Sequence, residues 1–316
     1  MNFLKKYIIR NKAPKENIQT NAKTKIGLAL SGGGTRGFGH LGAIKAFEEL
    51  GIEFDYVAGT SVGSIVGALY CYGYTAEEMI QTAMKLNVKD IRTSKIVFVP
   101  SKTNKLEELF VSLMGDIDIK DLKKPFSAVA VDMVSGDEII FNEGRLCKVL
   151  AGSCAVPIVF DCVPYETMNL MDGGLANTIP ADIPKMMGCD KVISVDLNKY
   201  RGRGTESTKT VDLLMASIRI LMKSNCVKGK INSDILIEPD LKDYKSTSFK
   251  GAEEMVAEGY RAVMEHKEEI LQIFNSQIVE TEIKKPKKIK EKKKRFGKHK
   301  TIDIEQEIEI FDSNLN

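Results

Sequence analysis

Apolar positions along the chain fall into two alternating kinds of segment. Short continuous runs, at Ile26–Leu30, Tyr56–Ala58, Phe126–Met133, Glu138–Phe141, Val192–Val195 and Ile235–Ile237, are bounded by glycine or polar residues and read as strands. Between them apolar residues recur at helical spacing. Leu41, Ile44, Phe47 and Leu50 do so within His40–Leu50, which Gly51 ends, and Val62–Tyr72 reads as a buried helix of small residues. Thr75–Glu78 fits a capping box ahead of Met79, Ile80, Ala83 and Leu86. Further helices are predicted at Leu106–Met114, near Val211–Met222 and over Ala252–Phe274, while Ser135-Gly136 joins the third and fourth strands. Strands alternating with helices predict an α/β fold with a central, mostly parallel sheet flanked by helices. Leu214, Met215, Ile218 and Met222, at helical spacing, fit either the lining of an apolar pocket or ordinary core, and core is favoured.

The ends of the chain lack such patterns. Residues 1–24 are polar without a sustained period and read as a loose leader; residues 25–277 read as the folded domain. Between Lys284 and Lys300 there are 11 Lys or Arg and one acid, Glu291, so this run carries +10. The formal charge of the chain is +3, which leaves 3 − 10 = −7 for the remainder. Five acids and no base follow in Thr301–Asn316, and residues 278–316 read as a charged, disordered tail. An acidic body with a basic tail gives no support for a specific nucleic-acid partner. Two readings of Lys284–Lys300 stay open: peripheral contact with an anionic membrane, or a solvated extension partly neutralised by the acids that follow it.

The longest strongly apolar stretch, Leu213–Met222, is broken by Arg219 and is far short of the roughly 20 residues of a bilayer span. The first residues carry Lys5, Lys6 and Arg10 without the apolar run of a signal peptide. The six cysteines form no CxxC pair and no histidine sits at ligand spacing. Reduced, mostly buried thiols, no metal, and a cytoplasmic setting with contact at the inner membrane surface are the expectation.

Two glycine-rich turns carry candidate chemistry. Gly59-Thr60-Ser61-Val62-Gly63 is a G-x-S-x-G placed between a strand and a helix, a context that exposes a serine hydroxyl on a sharp elbow. Ser31-Gly32-Gly33-Gly34-Thr35-Arg36-Gly37 also follows a strand and precedes a helix, so its backbone N–H groups form an anion site. Gly32, Gly34 and Gly37 satisfy G-x-G-x-x-G, but the second strand runs into the serine elbow instead of ending in the acid that would grip a ribose. Asp55 lies before that strand, and Phe38 stands where a P-loop needs lysine. The oxyanion of an acyl-transfer intermediate is therefore favoured over a dinucleotide.

A serine nucleophile needs a base. His40 belongs to the glycine loop and reads as structural, His266 lies in a Glu/Lys-rich helix, and His299 is in the tail. The alternative is a carboxylate. Asp172-Gly173-Gly174 follows the apolar stretch Met168–Met171; alone it reads as a plain turn, but a carboxylate bonded to Ser61 in a dry site would take its proton.

GGGTRG, GTSVG and DGG, in that order and with Ser61 and Asp172 111 residues apart, closely resemble the patatin-like phospholipases. The resemblance extends through PFSAVAVDMVSG, AGSCAVPIVF and NTIPADIPKMMGCDKVISVDL, covering about Lys25–Asn198 and more loosely reaching Asn275. It implies a three-layer fold, a Ser61–Asp172 dyad with Ser61 as nucleophile and Asp172 as proton acceptor, and hydrolysis of lipid or other acyl esters without a cofactor. It assigns the oxyanion loop to Gly32, Gly33, Gly34, Arg36 and Gly37 with Val62, and the motif glycines to Gly59, Gly63, Gly173 and Gly174. Arg36 would orient the loop or meet a lipid phosphate. A non-catalytic lipid- or protein-binding regulator on the same fold is the alternative, and intact Ser61 and Asp172 count against it.

Overall fold

The structure, a computed structural model, describes residues 24–86, 100–199 and 205–274; most of the leader and the whole of the basic run and tail lie outside the described residues. In chain order the strands are β1 (Ile26–Leu30), β2 (Tyr56–Thr60), β3 (Phe126–Asp132), β4 (Glu138–Phe141), β5 (Val163–Tyr165), β6 (Met168–Asp172), β7 (Lys191–Val195) and β8 (Ile235–Ile237). The helices are α1 (Phe38–Glu49), α2 (Val62–Tyr72), α3 (Ala76–Lys85), α4 (Asn104–Met114), α5 (Leu146–Ser153), α6 (Asp182–Met186), α7 (Thr210–Ser224), α8 (Cys226–Asn232) and α9 (Ala252–Glu265).

The eight strands form one sheet in the order β5-β6-β3-β2-β1-β7-β8, with β4 also paired to β3. β3, β2, β1, β7 and β8 run parallel; β4 and β6 join β3 antiparallel. Alternate residues of each parallel strand enter opposite layers, which is why these strands are apolar throughout. Ile26, Leu28 and Leu30, with Val57, Ala128, Ala130, Ile193 and Val195, join the large core under α1 to α5 and α9. Ala29, Val192, Ala58 and Val129 face the thinner layer with Ile179, Ile183 and Cys226.

The predicted capping box is present at Thr75 and Glu78, and all six cysteines are free thiols, five of them buried and Cys162 exposed. Two predictions shift. The Ala252–Phe274 helix is interrupted at His266, whose N–H bonds the Val263 carbonyl three residues back. The helix predicted near Val211–Met222 exists as α7, but Leu213, Leu214, Ile220 and Leu221 are exposed, so its apolar spacing is not that of a core helix.

Helix α1 meets α9 backbone to backbone. A Cβ on Gly42 would overlap the Val256 carbonyl, and one on Gly259 the Gly39 carbonyl. Helix propensity favours alanine at such a position by about 0.8–1 kcal/mol, yet the overlap is with backbone that has no rotamer to change. Gly42→Ala is expected to lower stability by roughly 1–3 kcal/mol, the usual range for overpacking, measured as a shifted urea midpoint. An unshifted midpoint would mean the two helices separate freely.

Candidate active site

Ser61 occupies the single step between β2 and α2, at φ 54° and ψ −126°. A non-glycine residue in such a region costs on the order of 1–3 kcal/mol and persists only where its surroundings fix it. Three bonds do so. The Ser61 N–H donates to Ser153 Oγ at 3.0 Å, and the Ser153 hydroxyl in turn donates to the Val129 carbonyl at 2.6 Å. The Ser61 carbonyl accepts the Ser64 hydroxyl at 2.6 Å and the Ser64 N–H at 2.8 Å. Gly59 and Gly63 make the turn possible by contact: a Cβ on Gly59 would overlap the Gly63 carbonyl, and one on Gly63 the Leu30 carbonyl.

Strand register then brings Asp172 to the same place. Thr60, the last residue of β2, pairs with Val129 on β3, and Asp172, the last residue of β6, pairs with Ala130. The Ser61 hydroxyl donates to Asp172 Oδ2 at 2.7 Å, and the Gly174 N–H donates to Oδ1 at 2.8 Å. Both residues are buried, at 7% and 1% exposure. Gly173 sits against the Val129 carbonyl and Gly174 against the end of Met222. No histidine shares this contact among the described residues: His266 pairs with Glu269 at the surface.

His40 is fully buried and serves the glycine loop. Its Nε2 is 2.8 Å from the Ser31 carbonyl, and burial pushes its pKa down to about 4 against the raising effect of that bond, so the ring is neutral and Nε2–H donates. The next carbonyl, of Gly32, accepts Asn198 Nδ2 at 2.6 Å. With these carbonyls drawn away, no acceptor among the described residues engages the N–H groups of Gly33, Gly34 and Val62, which line the cavity beside Ser61. Two members of the expected oxyanion set are placed differently. The Gly32 N–H already donates to the Thr178 carbonyl at 3.1 Å. Arg36 is not on the cavity wall; its Nε donates to the Tyr244 carbonyl at 2.9 Å and ties the loop to the segment before α9. Gly37 packs against the Val62 side chain where α1 and α2 begin.

The dyad opens into a cavity of about 380 Å³ with mainly aliphatic and aromatic walls from α2, α3, α4 and α7. Met215, Ile218 and Met222 of α7 line it, so the inward face of that helix is cavity wall where the sequence pattern predicted core. Cys154 lies beside Ser61; burial pushes its thiol up, which keeps it protonated and a poor nucleophile. Sequence reasoning missed Ser153 and Asn198 as supports of the site. Ser153 ends α5 and Asn198 lies in the turn after β7, each a single polar residue visible only through its spatial partners.

Ser153→Ala removes the acceptor that holds the Ser61 N–H. It is expected to lower kcat on a soluble ester by about 10-fold or more while KM changes little, because positioning of the attacking atom is lost rather than binding. Equal kcat would leave the elbow independent of Ser153. For His40 the sign follows from its lowered pKa: the unfolded chain binds the proton more tightly. Its contribution is complete above pH 6.5 and is lost as pH falls toward 4, by up to about 3 kcal/mol. Denaturant titrations at pH 7 and pH 4.5 are expected to show a smaller loss for His40→Gln than for wild type; identical losses would exclude His40 as the source.

Residues 28–185 match the patatin-like phospholipase family, a span that contains Ser61, Asp172 and the glycine loop. The chain is 34% identical over 183 residues to human patatin-like phospholipase domain-containing protein 6, which covers 54% of this chain and 13% of that protein. It is 27% identical over 212 residues to an uncharacterized NTE family protein of Mycobacterium bovis, covering 64% of this chain and 58% of the relative. The chain thus spans only part of the length of these relatives. VipD from Legionella pneumophila has the same fold, with a TM-score of 0.55 at 14% identity over 78% of this chain and 67% of VipD. A family match across half of the sequence settles the classification, and the chain belongs to the patatin-like phospholipase family.

Proposed function

We propose that this protein hydrolyses acyl esters of lipids through an acyl-Ser61 intermediate. The observation that carries the reading is the 2.7 Å bond from the Ser61 hydroxyl to the Asp172 carboxylate at the floor of an apolar cavity. In the first half-reaction Ser61 Oγ attacks the ester carbonyl carbon as its proton passes to Asp172 Oδ2. The negative charge on the carbonyl oxygen is met by the N–H groups of Gly33, Gly34 and Val62. Collapse of the tetrahedral intermediate breaks the carbon–oxygen ester bond, and the proton on Asp172 goes to the departing alkoxide. A water molecule then attacks the acyl-enzyme, giving its proton to Asp172, and the free acid leaves as the Ser61 hydroxyl is restored. The apolar walls suit a hydrocarbon chain, whose burial contributes about 0.8 kcal/mol per CH₂.

Ser61→Ala is expected to abolish turnover of a short neutral ester and labelling by a fluorophosphonate. Asp172→Asn keeps the shape but cannot accept the proton, and is expected to lower kcat on the order of 10²-fold or more. Turnover by a folded Ser61→Ala protein at the wild-type rate would refute the mechanism.

A further inference from the structure

The lining of the cavity contains one cation, Arg219 of α7. Its helical neighbours on the inward face, Met215, Ile218 and Met222, are apolar, so the guanidinium interrupts a wall otherwise suited to hydrocarbon. Arg219 is half-buried, and among the described residues no carboxylate, carbonyl or hydroxyl engages it. The other charged residue of the lining, Asp172, is occupied by the Ser61 hydroxyl and the Gly174 N–H. The arginine of the glycine loop does not compete for the same task, because Arg36 is bonded to the Tyr244 carbonyl away from the cavity.

We propose that Arg219 is the specificity-determining residue of this cavity, binding the phosphate of a lipid head group while the scissile ester lies against Ser61. The inference rests on the acyl-hydrolase reading above for the identity of Ser61 as the attacking group.

Arg219 can discriminate by attraction and by repulsion. A guanidinium offers five donors in a planar fork that matches phosphate oxygens in pairs, a geometry lysine cannot supply. In a phospholipid or lysophospholipid the phosphate and the acyl ester are only a few bonds apart on one glycerol, so a cation sharing a cavity with Ser61 is suitably placed. A neutral acylglycerol entering the same cavity strips water from Arg219 and returns no counter-charge, which penalises it. Discrimination therefore arises from both terms. Ser246 and Thr247 bring polar groups to the same lining and suit the glycerol end of the ligand rather than its chain.

The test separates binding from chemistry. In the Ser61→Ala protein, binding of a 1-O-alkyl lysophosphocholine and of the 1-O-alkyl glycerol of the same chain length is measured by calorimetry, with Arg219 present and as Arg219→Ala. These ether lipids have no ester, so the result stands whether or not the protein is a hydrolase. Removing Arg219 is expected to weaken the phosphate-bearing ether about 10- to 100-fold, the range of a charge-assisted bond, and the neutral ether by a much smaller factor. Arg219→Lys is expected to recover only part of the difference, which also covers the case in which the alanine variant folds poorly. Equal losses for the two ethers, or none for the phosphate-bearing one, would overturn the assignment. Glycerol 3-phosphate provides the chain-free arm: affinity equal to that of the lipid would make the site one for free phosphate esters and overturn the head-group proposal. In the Ser61-containing protein, the ratio of kcat/KM on lysophosphatidylcholine to that on the matching monoacylglycerol is expected to fall by the same factor in Arg219→Ala, mainly through KM. An unchanged ratio would refute the proposal, whereas absence of any Ser61-dependent turnover would refute the hydrolase reading and leave the ether-lipid result standing.

Discussion

The strained step at Ser61 is the constraint on which the surrounding structure depends. A serine at positive φ between β2 and α2 is unfavourable in isolation, so the fold must hold its N–H, its carbonyl and its flanking glycines together. Ser153, Ser64 and the close contact of Gly59 with Gly63 each supply part of this. The Val129 carbonyl on β3 meets both sides of the site: it accepts the Ser153 hydroxyl, and Gly173 rests against it. A shift of β6 by one residue against β3 would turn the Asp172 side chain to the other face and break its bond to Ser61.

The glycine loop solves a complementary problem. On the acyl-hydrolase reading this loop must offer N–H groups without acceptors, yet a buried loop exposes carbonyls as readily as N–H groups. Here the Ser31 and Gly32 carbonyls are consumed by His40 and Asn198, which leaves the opposite edge of the loop rich in donors. Asn198 is itself held by Asp196, a buried carboxylate that burial pushes up and whose Oδ2 lies 3.5 Å from Lys230 Nζ. His40 is held neutral in this support, since burial disfavours the charged imidazolium.

Most of the strands and the first three helices were legible because each carried a single clear period or a continuous apolar run between glycines. The elbow and the glycine loop were legible because both are local. Asp172 was less so: alone, Asp-Gly-Gly is a turn, and only pairing of β6 with β3 brings it across 111 residues to Ser61. The short elements α5, α6, α8 and β5 gave no usable signal, since three to eight residues hold too little of a period. The spacing of Met215, Ile218 and Met222 fits both core and pocket lining, with core favoured on the pattern, and periodicity has no means to separate the two cases. A helix packed on protein and a helix facing an apolar cavity present the same pattern, and only the contacts tell them apart.

That ambiguity follows from the chemistry the cavity performs on the acyl-hydrolase reading. A wall for hydrocarbon must be as apolar as a core while remaining empty enough to admit a ligand, which favours flexible, polarisable side chains such as methionine over rigid branched ones. Met222 meets both requirements, lining the cavity and resting its methyl end against Gly174, whose N–H holds Asp172. A chain entering beside Met222 displaces water from the space around Ser61 and Asp172, and the bonds of the dyad and the donors of the glycine loop then act in a medium of lower dielectric. On that reading, ligand binding and the electrostatics around Ser61 and Asp172 are coupled where Met222 meets Gly174.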